Sequence, residues 1–391
     1  MTSVAVRPDP FALSEEERSV RDTAADFAQR ELAPTVAQRD EEERYDRGLF
    51  NRMGELGLTA IPYPEGYGGA GLSYFAWVLA CEEIAAVDMG MAVSLCVHVL
   101  SQLCILSFGT DAQKERLLPS MTAGTHLGAF ALTEPESGSD AAALALRAER
   151  TEDGYALTGG KVWITNGGDA DTYVVFATVD RSRGRDGVTA FVVERDTPGF
   201  RIGSHERKMG IRDSSSAELV FDRAAVATDN RLGDEGQGLK VALDSLGAGR
   251  ISIAAACTGL ARAALEHAGR YATQRIQFGK PIAEQEMIQS MLADAAVSVE
   301  AARLLTWRAA RLRDAGKPVH AAGSMAKLFA SDTAMRVATD AVQIYGGAGY
   351  SRDNPVERFM RDAKGAQIYE GTNQVQRLII AQQLIGELRR G

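Results

Sequence analysis

The sequence predicts a mainly α protein with a central β-domain: a helical N-terminal module, a β-rich middle and a C-terminal helical bundle. Three observations carry this. Apolar residues recur every three and four positions from about residue 13 to 125, short β-branched and aromatic runs fill about 126–235, and long helical periods return from about 236 to the end. The expected limits are therefore 1–125, 126–235 and 236–391. Helices grouped before and after strands, instead of alternating with them, mark segregated modules and disfavour a doubly wound nucleotide fold. A chain of 391 residues also exceeds what one hydrophobic core usually supports.

In the N-terminal module, Val20, Ala24 and Phe27 trace one helical face, and Leu49, Met53 and Leu56 trace another. The Pro- and Gly-rich stretch IPYPEGYGGAGLSY at 61–74 cannot continue a helix and reads as a surface turn joining two. The middle supplies GYALTGGKVWITN, DTYVVFATVD, GVTAFVVERD and AELVFD, whose β-branched and aromatic content predicts strands. Apolar stripes through 239–272, 285–313 and 321–345, broken at 281–282, 316–318 and 346–349, predict three or four long antiparallel helices. The glycine cluster GGAG at 346–349 follows no strand, so a dinucleotide-fingerprint reading fails.

Composition excludes several functions. With 43 basic against 52 acidic residues, net −9, the chain has no global positive field for nucleic acid or an anionic membrane. The first twenty residues lack an apolar leader segment and no stretch approaches eighteen apolar residues, so neither secretion nor a membrane span is expected. Cys81, Cys96, Cys104 and Cys257 show neither C-x-x-C pairing nor His partners at metal-ligand spacing. A cytoplasmic protein with buried thiols and no metal site fits this.

Four stretches could carry chemistry. GAFALTEPESGSD at 128–140 ends an apolar run in a loop whose backbone N–H groups and hydroxyls could line a planar polar ring or a phosphate; it reads equally as a strand entering a turn. In KVWITNGG at 161–168, Trp163 and Thr165 flank Ile164, so both face the same way and suit a flat heterocycle, as a core tryptophan also would. RIQFGKP at 275–281 places a cation, an aromatic and a glycine turn between helices; Arg275 could bind a diphosphate or cap a helix end. In RDAKGAQIYEGTNQVQR at 361–377, Glu370 precedes a new helix. Apolar neighbours Ile368 and Tyr369 could exclude water from its carboxylate and make it a stronger base, against the alternative of a surface residue at a helix N-terminus.

Together, ALTEPESGSD at 131–140, WITN at 163–166, RIQFGKP at 275–281, QIYGGAGY at 343–350, RDAK at 361–364 and IYEGTNQVQR at 368–377 resemble the acyl-CoA dehydrogenase family, in its order and spacing along the whole chain. The resemblance implies a helical N-terminal domain, a β-barrel-like middle domain and a C-terminal four-helix bundle, assembled as a homotetramer with FAD at the junction and a subunit contact. It implies FAD contacts at Phe130, Leu132, Thr133 and Ser139, at Trp163, Ile164 and Thr165, at Arg275, Phe278, Glu286, Gln343, Ile344, Gly346 and Gly347, and at Thr372 and Gln374. Acyl-CoA would meet Ser139, Gly247, Arg250 and Gly371, with Glu370 as the base that removes the α-proton while the β-hydride passes to flavin. Electrons would go to an electron-transferring flavoprotein.

Some members of the family carry the base immediately before an arginine that matches Arg250; here that position is Gly249, so the alternative base is absent. Two departures stand out. Gly247 occupies a position that is acidic or polar in many members, and Glu286 falls where a glutamine usually helps to bind FAD. ARLLTWRAA at 302–310 resembles short-chain members, and residues 85–112 contain no Arg or Lys to hold a dicarboxylyl substrate, so short straight or branched acyl groups are favoured. An acyl-CoA oxidase, a flavin monooxygenase or a non-catalytic binding protein on the same fold are the competing readings.

Overall fold

The computed structural model describes residues 11–390; Met1–Pro10, half of the stretch read as lacking a leader, and Gly391 lie outside them. Helix α1 (Glu15–Phe27) begins at a capping box in which Ser14 and Glu17 satisfy each other's backbone N–H groups. Short helices α2 (Val36–Glu42) and α3 (Arg47–Glu55) lead to two apolar helices, α4 (Tyr74–Val87) and α5 (Met89–Phe108), and then α6 (Asp111–Thr122). Phe27 and Met53 are buried as the periodicity predicts, but Leu56 is exposed, because α3 ends at Glu55 and the chain turns away. The 61–74 segment is not wholly superficial: Ile61 and Tyr63 enter the core, and the Tyr63 hydroxyl donates to the Val99 carbonyl.

Helix α5 corrects the expectation about apolar stretches. It is long and apolar enough to cross a membrane and contains no charged residue, yet 78% of its apolar window is buried inside the protein. The middle of the chain forms β1 (Gly128–Ala131), β2 (Arg147–Arg150), β3 (Gly154–Thr165), β4 (Thr172–Thr178), β5 (Val188–Glu194), β6 (Phe200–His205), β7 (Ser216–Ala227) and β8 (Arg231–Leu232). These build one sheet in the order β6-β7-β3-β2-β4-β5-β8, with β1 added parallel to β4.

The last part is α7 (Gly238–Gln274), a small hairpin β9 (Ile276–Gln277) and β10 (Lys280–Pro281), α8 (Glu286–Asp314), α9 (His320–Tyr345), α10 (Val356–Ala366) and α11 (Asn373–Leu388). Small residues let α7 and α9 approach closely: a Cβ on Gly323 would lie 2.9 Å from the Gly247 carbonyl oxygen. Buried charge pairs tie the three parts together. Arg39 of α2 donates to Asp88, the N-cap of α5, at 2.5 Å and to Asp213, in the loop before β7, at 2.6 Å. Arg361 of α10 reaches Asp40 at 2.7 Å.

Candidate active site

Strand β1 runs into the 132–140 loop, whose shape is set by a buried ion pair. Lys161 of β3 donates from Nζ to Glu134 Oε1 at 2.7 Å and to the Leu132 carbonyl at 2.9 Å. Glu134 also accepts the Ala145 and Leu146 N–H groups, at 2.5 and 3.0 Å. Both oxygens of that carboxylate are thus partnered inside the protein. The Val162 N–H donates to the Thr133 carbonyl, which sets the loop against β3.

The ladder between β3 and β7 is irregular between Lys161 and Ile164, and Trp163 takes φ 61, unusual for a bulky residue. The indole is consequently 58% exposed, beside half-buried Thr165, while Ile164 turns into the core. The strand end is locked by Asn166, whose amide donates to the Ser94 and Gly128 carbonyls, both at 2.9 Å. An exposed indole flanked by Thr133 and Thr165 fits one face of a planar ring system. Leu132 and Thr133 are half-buried and Ser139 is exposed on the same loop. Phe130 is tied to the sheet by packing on Phe176, ring centroids 4.9 Å apart.

Glu370 lies in the turn between α10 and α11. It adopts φ 53 and is followed by Gly371 at φ 89, two successive left-handed residues. The residue is half-buried as a whole because its backbone reaches the surface, but both carboxylate oxygens are enclosed and have no hydrogen-bond partner. Burial pushes its carboxyl up to about 7, an effect only partly opposed by the charges of Arg250 and Lys327. The water-excluding neighbours differ from expectation. Ile368 is 56% exposed and points away, while Tyr369 closes the site; the Glu370 charge is also felt at Tyr74 of α4, Cys96 of α5 and Cys257 of α7.

The Gly249 position explains how α7 accommodates this carboxylate. A Cβ built there would sit 2.8 Å from Glu370 Oε2 and 3.2 Å from Oε1, so the carboxylate occupies the space a side chain would need. A side chain at 249 and the Glu370 carboxylate therefore compete for the same space. Arg250, next on α7, is buried with Nε unpartnered. At Gly247 the corresponding space is taken by His320, whose Nδ1 lies 3.3 Å from the built Cβ. Gly371 presents its carbonyl inward, accepting from Lys327 Nζ and Gln376 Nε2, both at 2.9 Å.

The remaining expected cofactor residues gather elsewhere. Tyr271 and Tyr345 stack with centroids 4.0 Å apart and bring the end of α7 against the end of α9. Arg275 and Phe278 thereby share one end of the bundle with Gln343, Gly346 and Gly347, and all five are exposed, Phe278 by 94%. Ile344 is a core side chain, so a ligand there meets its backbone alone. Glu286 is exposed in the first turn of α8. Among the described residues no hydrogen bond or ring contact joins this patch to Trp163 or Thr133. Thr372 caps α11, its hydroxyl accepting from Val375 N–H, and Gln374 is exposed in the first turn.

Sequence reasoning passed over Glu134, Lys161, Asn166, Lys327 and Gln376. A signal existed for Lys327: it falls on the small-residue face of α9 with Gly323, Ser331 and Ala334, where a lysine must be buried. Lys161 gave a similar sign inside an otherwise apolar strand.

The sequence and fold match known proteins along nearly the whole chain. Sequence families described as acyl-CoA dehydrogenase N-terminal, middle and C-terminal domains match residues 14–125, 129–224 and 236–385. An acyl-CoA dehydrogenase of Bacillus subtilis (strain 168) is 48% identical over 375 residues, 96% of this chain and 99% of that one. The structure of butyryl-CoA dehydrogenase from Megasphaera elsdenii superposes with a TM-score of 0.95 at 46% identity, covering 96% of this chain and all of that one, 100%. A chain from the work on the electron transferring flavoprotein of Acidaminococcus fermentans also superposes with a TM-score of 0.95, at 48% identity over 96% of this chain and 99% of its own.

Proposed function

The chain belongs to the acyl-CoA dehydrogenase family and is an FAD-dependent oxidoreductase, and from that premise we propose that it converts a short-chain acyl-CoA thioester to its trans-2-enoyl thioester with Glu370 as the base. One observation carries the assignment of the base: a carboxylate with both oxygens enclosed, unpartnered and free to accept a proton.

The α-proton of a thioester is weakly acidic, so its acceptor must be basic near neutral pH and must not be solvated. Burial gives Glu370 both properties. The carboxylate takes the proton at Oε1 or Oε2. The Glu370 N–H has no protein acceptor among the described residues and is available to the thioester oxygen, where negative charge develops as the proton leaves. Arg250 brings a buried positive charge near enough to favour the ionised carboxylate. FAD, when bound, supplies the acceptor for the hydride that leaves the β-carbon. Leu132, Thr133, Ser139, Trp163 and Thr165 suit its ring, and Arg275, Phe278, Gln343, Gly346 and Gly347 suit a portion reached from a second copy.

That second copy follows from the C-terminal surface. Phe278, Met287, Val297, Tyr350, Leu378 and Leu388 are exposed, and apolar surface of this extent is covered by association in stable proteins. We read it as the contact face of a homotetramer. The short-chain preference is supported by the butyryl-CoA relative and by the absence of Arg or Lys from residues 85–112. An electron-transferring flavoprotein as acceptor is supported by the Acidaminococcus similarity. Work in the cytoplasm is supported by four buried cysteines that all remain free thiols.

An anaerobic panel of acyl-CoA thioesters from C4 upward tests the reading: the flavin absorbance should bleach fastest with short chains. Bleaching by no thioester of the panel sinks the dehydrogenase assignment. Reoxidation by an electron-transferring flavoprotein but not by oxygen separates dehydrogenase from oxidase.

A further inference from the structure

The turn that carries Glu370 is strained. A left-handed glutamate followed by a left-handed glycine persists only where its surroundings over-determine it. Three side chains do so. Lys327 of α9, wholly buried, donates from Nζ to the Gly371 carbonyl and to Asn373 Oδ1, both at 2.9 Å. Asn373 in turn donates to Ser331 Oγ at 2.9 Å and Asp332 Oδ1 at 2.7 Å. Gln376 donates to the Gly371 and Glu370 carbonyls, at 2.9 and 3.2 Å. Both carbonyls are thus held by side chains of α9 and α11, while the Glu370 N–H and carboxylate keep no partner among the described residues.

We propose that Lys327 is a positioning residue for the base: its buried ammonium clamps the Glu370–Gly371 turn through the Gly371 carbonyl and so sets where the carboxylate stands. This rests on the reading of Glu370 given above. Lys327 does not touch the carboxylate, whose oxygens have no partner. It acts through the turn and through its field.

The charged and titratable groups facing that field are few. Arg250 and Cys257 come from α7, Asp332 from α9 itself and Glu370 from the turn. Tyr74 of α4, Cys96 of α5 and Tyr369 also feel Glu370. Only Arg250 and Lys327 hold its carboxyl down against burial, and Arg250 forms no hydrogen bond to the turn. Burial lowers the Lys327 ammonium to about 8, so it remains the positive partner where Glu370 ionises.

The test compares Lys327→Met with wild type in the FAD-loaded protein, reading release of the α-proton of a bound acyl-CoA into D2O by mass spectrometry alongside flavin bleaching across pH. Lys327→Met should lower both rates by on the order of 100-fold with little change in substrate affinity. The midpoint of the pH profile should move upward, because a cation favouring the ionised carboxylate is gone. Unchanged rates and midpoint in a folded, FAD-loaded variant overturn the proposal. If Lys327→Met does not fold, Lys327→Arg and Lys327→Gln decide: Arg should keep the midpoint near wild type and Gln should move it upward. Equal midpoints for those two overturn the proposal as well. Absence of exchange and bleaching in wild type is a different result, and it strikes the reading of Glu370 instead.

Discussion

Two buried glutamates show how one residue type is used in opposite ways. Glu134 is wrapped by the Lys161 ammonium and two backbone N–H groups, so both its oxygens have donors. Glu370 has none, and the nearest positive charges act at a distance. The first arrangement fixes a loop; the second suits the base proposed above. A satisfied carboxylate contributes structure because removing its partner strands a charge, whereas an unsatisfied one is held against its own solvation and gains reactivity from it.

The contrast is broken most forcefully at the satisfied site. Lys161→Met leaves Glu134 buried without its cation and should destabilise the protein by about 3–5 kcal/mol. Thermal unfolding at pH 7 reads this, and a loss under about 1 kcal/mol removes Glu134 from its structural role. Glu370→Gln should act in the opposite direction. Its carboxyl is raised in the folded state from 4.5 to about 7, so the penalty is absent below pH 4.5, grows as pH rises between those values, and is complete above about 7. The stability of Glu370→Gln relative to wild type should therefore increase by up to about 3 kcal/mol between pH 4 and pH 8. Denaturant titrations at the two pH values check it; a flat difference means the carboxylate is not desolvated.

Gly249→Ala gives the smallest effect and the finest probe. The new methyl falls 2.8 Å from Glu370 Oε2, and because a carboxylate end can shift, the turn should remain intact. Bleaching should slow about tenfold while stability stays the same or rises by up to about 1 kcal/mol, as for Gly→Ala within a helix. Wild-type bleaching in this variant means the space beside Gly249 is not the base's.

Much of the fold was legible because helical and strand periods differ sharply along the chain. The long stripes at 239–272, 285–313 and 321–345 correspond to α7, α8 and α9. Leu56, Ile61 and Ile368 were misplaced because a helix end or turn decides where each points, and no period marks such a place. Local physics alone left Glu370 between base and surface residue. Its carboxylate stands against Gly249 and its charge is felt at Tyr74, Cys96 and Cys257, all four more than 100 positions away in sequence, which no local pattern reports. Trp163 was legible as an aromatic beside a hydroxyl, but not the φ of 61 that exposes it. Lys161 and Lys327 were hidden by their own chemistry, since a lysine ordinarily signals solvent and only its register on an inner face says otherwise.

The central claim is that desolvation, not a partner, makes Glu370 a base. The rate of anaerobic flavin bleaching by a short acyl-CoA, followed by stopped flow across pH in wild type and Glu370→Gln, tests it most directly. Wild type should rise through a single ionisation near pH 7, and Glu370→Gln should lose that ionisation and be slower by on the order of 10^4-fold above it. A wild-type profile already flat above pH 5, or bleaching by Glu370→Gln at the wild-type rate, contradicts it.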